Sequence, residues 1–98
     1  MTSDKIYMIK QDDKELEKIF KPLANRRRLA ILRCIIKARS LSVDEIAKQI
    51  KLSFRSTSRH LAILRQADLV EFEMVKLQRF YHMSADINVL SKYIVSQL

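Results

Sequence analysis

Glycine and tryptophan are missing from these 98 residues, and there is one proline and one cysteine. Without glycine there is no loop that could cradle a phosphate and no flexible linker between halves of the chain. The lone Cys34 excludes an internal disulfide and agrees with a reducing compartment, so a cytoplasmic protein is expected. Only two histidines are present, His60 and His82, and a metal centre needs about four convergent ligands. No metal and no cofactor are therefore expected. No stretch approaches the roughly 20 apolar residues of a membrane span, and the segment Met1 to Asp13 has only four consecutive apolar residues before acids follow, unlike a signal peptide. Neither a carboxylate pair nor a nucleophile with its base can be assembled, so an enzyme is not expected.

What the chain does have is apolar content and positive charge. Hydrophobic residues make up 48 %, too many for a disordered chain, and the length suits one domain, 1–98, burying roughly 65 % of its unfolded surface. The formal charge of +8 is unevenly spread, because residues 21–79 hold fourteen Lys or Arg against five acids. A cluster of that kind is the electrostatic footprint of a polyanion-binding surface. A membrane is the weaker reading, since no stretch pairs a basic face with a strongly apolar one.

Within that segment, residues 42–67 read as two short helices joined by a tight turn. Ser42 and Glu45 have the spacing of a capping box, and Val43, Ile46, Ala47 and Ile50 recur three and four apart on one face. Ser53 caps the second helix. At about 100° per residue, Phe54, Thr57, Leu61 and Leu64 share its inner side, while Arg55, Ser56, Arg59 and Ile63 project outward and His60 lies on the flank. Arginine presents a planar fork that matches guanine O6 and N7, and serine can donate to a phosphate or a base edge. Arg55, Ser56 and Arg59 are thus the first candidates for base contact, against the plain alternative of a solvated helix face.

The flanking elements follow from similar signals. A first helix is expected over Asp13 to Phe20, with a start nearer Ser3 also considered, carrying Leu16, Ile19 and Phe20 on one face and ended by Pro22. Asn25 caps a longer helix from Arg26 to about Ala38, whose Leu29, Ile31, Leu32, Ile35 and Ile36 form a core stripe in which Cys34 is a small buried hydrophobe. Its opening run Arg26, Arg27, Arg28 stands where the helix dipole disfavours cations, and a solvated cluster or pairing with a nearby acid is its simplest reading. Leu69 to Met74 and Gln78 to Met83 form a hairpin, whose tip is expected to be loose because no glycine can take a left-handed turn position, with Lys76 and Arg79 near it. A final helix is expected from about Asp86 to Gln97, with Ile87, Leu90, Ile94 and Leu98 on a stripe and Val89 and Tyr93 beside it. Tyr7, Met8 and Tyr93 fit core or interface. That last helix is apolar over more than half its girth, so a partner surface is expected, and a two-fold dimer would set two recognition helices about 34 to 36 Å apart.

Leu23-Ala24-Asn25-Arg26-Arg27-Arg28-Leu29-Ala30-Ile31-Leu32 is similar to an "L-A-x-x-x-R-L-x-I-L" segment. Leu52-Ser53-Phe54-Arg55-Ser56-Thr57-Ser58-Arg59-His60-Leu61, continuing through Asp68-Leu69-Val70, is similar to an "L-S-x-x-x-x-S-x-H-L-x-x-L-x-x-A-x-L-V" recognition element. With the order of elements, these strings resemble the ArsR family of winged helix-turn-helix regulators over residues 16–98. The resemblance implies a mainly α fold with a small β-hairpin and a homodimer joined through its terminal helices, Leu16, Ile19, Phe20, Ile87, Leu90, Tyr93 and Ile94 being the candidates. It also implies an operator-binding regulator, usually a repressor, with Ser56, Ser58, Arg59 and His60 at or near double-stranded DNA, to which Arg55 on the helix and Lys76 and Arg79 on the wing (69–83) are added. Metal-sensing members carry a Cys-x-Cys pair in the helix before the turn, or Asp and His ligands in the last helix. Here Leu41-Ser42-Val43-Asp44 holds no thiol, and Asp86 to Leu98 holds no histidine. No inducer is legible. The rival reading is a winged-helix module whose basic face meets an acidic protein.

Overall fold

Five side chains set where the helices begin. In the computed structural model, which describes residues 12–98, Asp12 Oδ1 accepts from the Glu15 amide at 2.8 Å and opens α1, Asp13–Leu23. Asn25 Oδ1 accepts from the amides of Arg27 and Arg28 at 3.0 and 3.1 Å and opens α2, Arg26–Ala38. The capping box forms in full: the Ser42 amide donates to Glu45 Oε1 at 2.9 Å and the Glu45 amide to Ser42 Oγ at 3.2 Å, opening α3, Val43–Ile50. Ser53 Oγ takes the Ser56 amide at 3.1 Å and starts α4, Phe54–Gln66. Asn88 Oδ1 takes the Leu90 amide at 2.9 Å and starts α5, Val89–Val95. Each such cap is worth about 1 kcal/mol.

A three-stranded antiparallel sheet completes the fold, in the order β1-β3-β2, from β1, Leu41–Ser42, β2, Val70–Val75, and β3, Gln78–Met83. One apolar cluster joins all layers, with Ile31, Leu32 and Ile35 of α2, Ile46 of α3, Leu61 and Leu64 of α4, and Leu69 and Val70 at the start of the hairpin sealed from solvent. Thr57 is buried among them, and its hydroxyl donates to the Ser53 carbonyl at 2.8 Å, so no polar atom there is orphaned.

Several boundaries differ from the sequence expectation. Pro22 lies inside α1 instead of ending it at Phe20, since a proline in the last turn deletes a single amide bond. Carbonyls of that turn also accept from Arg28, whose Nε donates to Pro22 O at 2.6 Å and Nη2 to Lys21 O at 3.2 Å. The last helix starts at Val89 and not near Asp86, because Asn88 acts as its cap and the Asp86 amide is drawn into a turn by Ser84 Oγ at 3.1 Å. The hairpin tip is tight, not loose: Val75 pairs with Gln78, leaving the two residues Lys76 and Leu77, and Lys76 takes the left-handed position at φ 58°. Ile36 is exposed and Cys34 half-buried, and burial pushes the Cys34 thiol upward. The two-residue β1, which pairs Leu41 with Tyr81 and Ser42 with Phe80, was not anticipated. A first-helix start near Ser3, and the placing of Tyr7 and Met8, fall outside the described residues.

Candidate nucleic-acid interface

The outer face of α4 is defined by what its inner face buries. Thr57, Leu61 and Leu64, spaced four and three apart, are wholly buried, and this rotation turns Arg55, Arg59 and Ile63 to solvent. Ser56, Ser58 and His60 are half-buried on its shoulders. Phe54 does not point inward as expected but is 57 % exposed, because as the first helical residue it extends beyond the core. It lines, with Ser58, Met74 and Leu77, a hollow of about 310 Å³ between α4 and the hairpin. Among the described residues the ion pairs are Lys48 with Asp44, at 3.7 Å, and Arg65 with Glu71, at 3.3 Å. Arg55 and Arg59 enter neither, so their five-donor forks face outward without a carboxylate.

His60 sits on the flank, as its helical angle required, but its ring is engaged. Arg28 Nη1 lies 3.4 Å from His60 Nδ1. A guanidinium can only donate, so Nδ1 accepts and the ring proton resides on Nε2. Arg28 thereby links the end of α1 to the middle of α4, a role that the sequence reading of a solvated or acid-paired arginine cluster did not contain. Burial first, and then the charges of Arg28 and Arg27, hold His60 below its ordinary value of 6.5. With the folded value depressed, the unfolded chain binds more protons over the window beneath 6.5. The stability that the neutral ring contributes is therefore fully present above that value and is lost as pH falls from it through the lower folded value. His60→Gln, which keeps an acceptor for Arg28, is expected to flatten this acid limb in thermal melts taken from about pH 7.5 to about pH 5. An acid limb as steep as that of the parent chain would count against the arrangement.

The hairpin brings further cations beside α4. Lys76 and Leu77 are exposed at the tip, Leu77 by 95 %. The Arg79 and Arg65 guanidiniums lie 4.5 and 4.7 Å from the centroid of the Phe72 ring, which in turn meets Tyr81 at 5.3 Å. Such a seat is worth about 0.5 to 1 kcal/mol at an exposed site and fixes the direction of a long side chain. Sequence spacing puts Arg79 near the tip but does not reveal this stack, because Phe72 and Arg79 fall on one face only once the register is known.

At the opposite end, α1 packs against α5. Leu16, Ile19, Ile87, Leu90 and Ile94 are half-buried within the protomer, Ile87 and Ile94 against its core. Phe20, Val89 and Tyr93 stay exposed, Tyr93 by 70 %. No helix among the described residues is long and apolar enough to cross a membrane.

A family profile described as a helix-turn-helix domain matches residues 23–72. The transcriptional activator HlyU of Vibrio cholerae is 39 % identical over 67 residues, 68 % of this chain, and the match spans 61 % of that protein's length. The structure of reduced HlyU from Vibrio cholerae superposes with a TM-score of 0.72 at 33 % identity, covering 87 % of this chain and 85 % of the other. HlyU from Vibrio vulnificus does so with a TM-score of 0.70 at 27 % identity, covering 99 % and 94 %. A homodimeric winged helix-turn-helix DNA-binding domain from Mycobacterium bovis shares the fold at a TM-score of 0.72 and 24 % identity, covering 91 % and 88 %.

Proposed function

Because this chain belongs to a family of helix-turn-helix domains and is similar to the transcriptional activator HlyU, we propose that it is an ArsR-type winged helix-turn-helix regulator that acts in the cytoplasm as a homodimeric repressor and binds a near-palindromic operator in double-stranded DNA. The observation that carries the reading is the solvent-facing pair Arg55 and Arg59 on a helix whose other face is locked into the core. In this reading α4 enters the major groove, where Arg55 and Arg59 meet guanine edges and Ser56 and Ser58 meet bases or phosphates. His60 stands at the groove margin, and Lys76 and Arg79 meet phosphate or the minor groove from the wing. The role is binding, not catalysis, and residues 1–98 act as one DNA-binding unit.

The dimer is supported by the apolar residues at the α1 and α5 end. Phe20, Val89 and Tyr93 are exposed there for a second copy, beside Leu16, Ile19, Ile87, Leu90 and Ile94. One set of DNA contacts serves either sign of regulation, and the Vibrio cholerae relative bears the name of an activator. Repression follows where the operator overlaps the promoter. A second reading, a module that meets an acidic protein, draws on the exposed apolar run Met74, Val75 and Leu77.

Footprinting on fragments selected from random DNA is expected to show two symmetric half-sites about one helical turn apart, with transcription in vitro falling as the protein is added. The binding constant should fall linearly with salt on logarithmic axes. A single half-site without a mate would remove the dimer, and affinity indifferent to salt would favour the protein-binding reading.

A further inference from the structure

We infer that Arg26, Arg27 and Lys51 form a clamp for the DNA backbone, gripping phosphates beside the groove that α4 occupies, separate from the contacts of α4 and the hairpin. The inference rests on the DNA-binding reading above and adds a second phosphate-binding surface to it. These three cations come from two elements, the start of α2 and the turn after α3, and with Ala30 and Ile50 they line one shallow hollow. The hollow contains no carboxylate, and none of the three enters an ion pair among the described residues. The acid pairing that the sequence suggested for the arginine run is therefore not what holds Arg26 and Arg27.

Each of these cations stands where another residue type would fold more easily. Arg26 and Arg27 occupy the first turn of α2, which has no acid to offset the dipole. The Asn25 carboxamide already takes the amides of Arg27 and Arg28, so the backbone there needs no anion. Lys51 has φ 56° and ψ 48°, a left-handed conformation that glycine or asparagine adopts with less strain. A solvated cluster would not require three cations to converge at such positions. A phosphodiester would, since guanidinium forks and an ammonium satisfy its oxygens with charge-assisted hydrogen bonds.

The start of α2, which lines the hollow, also reaches α4. Lys51 precedes Phe54 by three residues, Arg28 touches His60 across from α2, and the Arg27 charge acts on the same imidazole. Arg26, Arg27 and Lys51 thus share the hollow, and the neighbouring Arg28 reaches His60 on the flank of α4.

The test uses the full chain and a random-sequence duplex of about 40 base pairs, followed by fluorescence anisotropy from about 50 to about 300 mM NaCl. The variant carries Arg26→Gln, Arg27→Gln and Lys51→Gln, and the control carries Lys14→Gln, Lys37→Gln and Lys92→Gln, which removes the same charge elsewhere. The first is expected to bind at least about tenfold more weakly near 150 mM salt, with a logarithmic slope shallower by about 2 or more, at about 0.9 for each phosphate no longer neutralised. The control is expected to stay within about twofold. Equal effects in both variants, or no effect in the first, would overturn the clamp while leaving DNA binding intact. A parent chain that ignores the duplex in dilute salt would overturn the DNA-binding reading and the clamp together. Circular dichroism checks the fold, and Lys51→Asn, which suits the left-handed turn, should alone flatten the slope by about 0.9 per chain. An unchanged slope in a folded Lys51→Asn chain would also overturn the clamp.

Discussion

Replacing Arg55 and Arg59 together by alanine is expected to abolish discrimination between the operator and unrelated duplex while leaving the fold unchanged. Each bidentate arginine contact to a guanine edge is worth about 1 to 3 kcal/mol, so the pair accounts for up to about 6 kcal/mol per half-site. The two lie one helical turn apart and are neighbours, so their separate effects should sum imperfectly. Both are exposed and without an ion-pair partner among the described residues, and the melting curve should shift by no more than about 0.5 kcal/mol equivalent. Arg65→Ala makes the useful contrast. Its guanidinium is placed by Phe72 and Glu71, so its removal should change selectivity little. Competition binding against operator and scrambled duplex separates these outcomes. Retained selectivity in the double variant would remove α4 as the reading element.

Leu61→Ala is expected to give the reverse pattern. Leu61 is wholly buried on the inner face of the same helix, within the cluster that also holds Ile31, Ile46 and Leu64. Truncating such a leucine costs roughly 2 to 5 kcal/mol through reduced burial and the cavity left behind. Against a total of about 5 to 15 kcal/mol for a domain of this size, the midpoint should fall by more than about 10 °C. The fraction that remains folded should bind DNA with the parent's selectivity, because the groove face is untouched. A variant as stable as the parent would mean that α4 is not anchored as described, and the outward aim of Arg55 and Arg59 would lose its basis.

The helix pair was legible because its signals are local. Ser42 with Glu45, Ser53 and Asn25 announce their helices from sequence, and the three-and-four spacing of Thr57, Leu61 and Leu64 gives the rotation of α4 without knowledge of the fold. Tertiary partners hid the rest. Pro22 reads as a stop, and only the structure shows that Arg28 donates to carbonyls of the turn that contains it. Lys76 in a left-handed turn contradicts the local preference for glycine, a preference of about 1 to 2 kcal/mol that the paired strands override. The two residues of β1 have no periodicity to read, and the edge they provide exists only because β3 lies beside them. Phe54 looked internal by its helical angle, yet a first-turn residue lies beyond the partner layer that the angle assumes. The seat of Arg79 on Phe72 depends on register, which composition does not carry.

Amide chemical shifts of the nitrogen-15-labelled full chain, followed while a selected operator duplex is added, test the central claim most directly. The amides of residues 53–60 and those of the hairpin tip should move together and saturate at one duplex per two chains, while the amides of Leu32 and Ile35 in the centre of α2 stay in place. Shifts confined to α1 and α5, or an unchanged spectrum in dilute salt, would contradict the account.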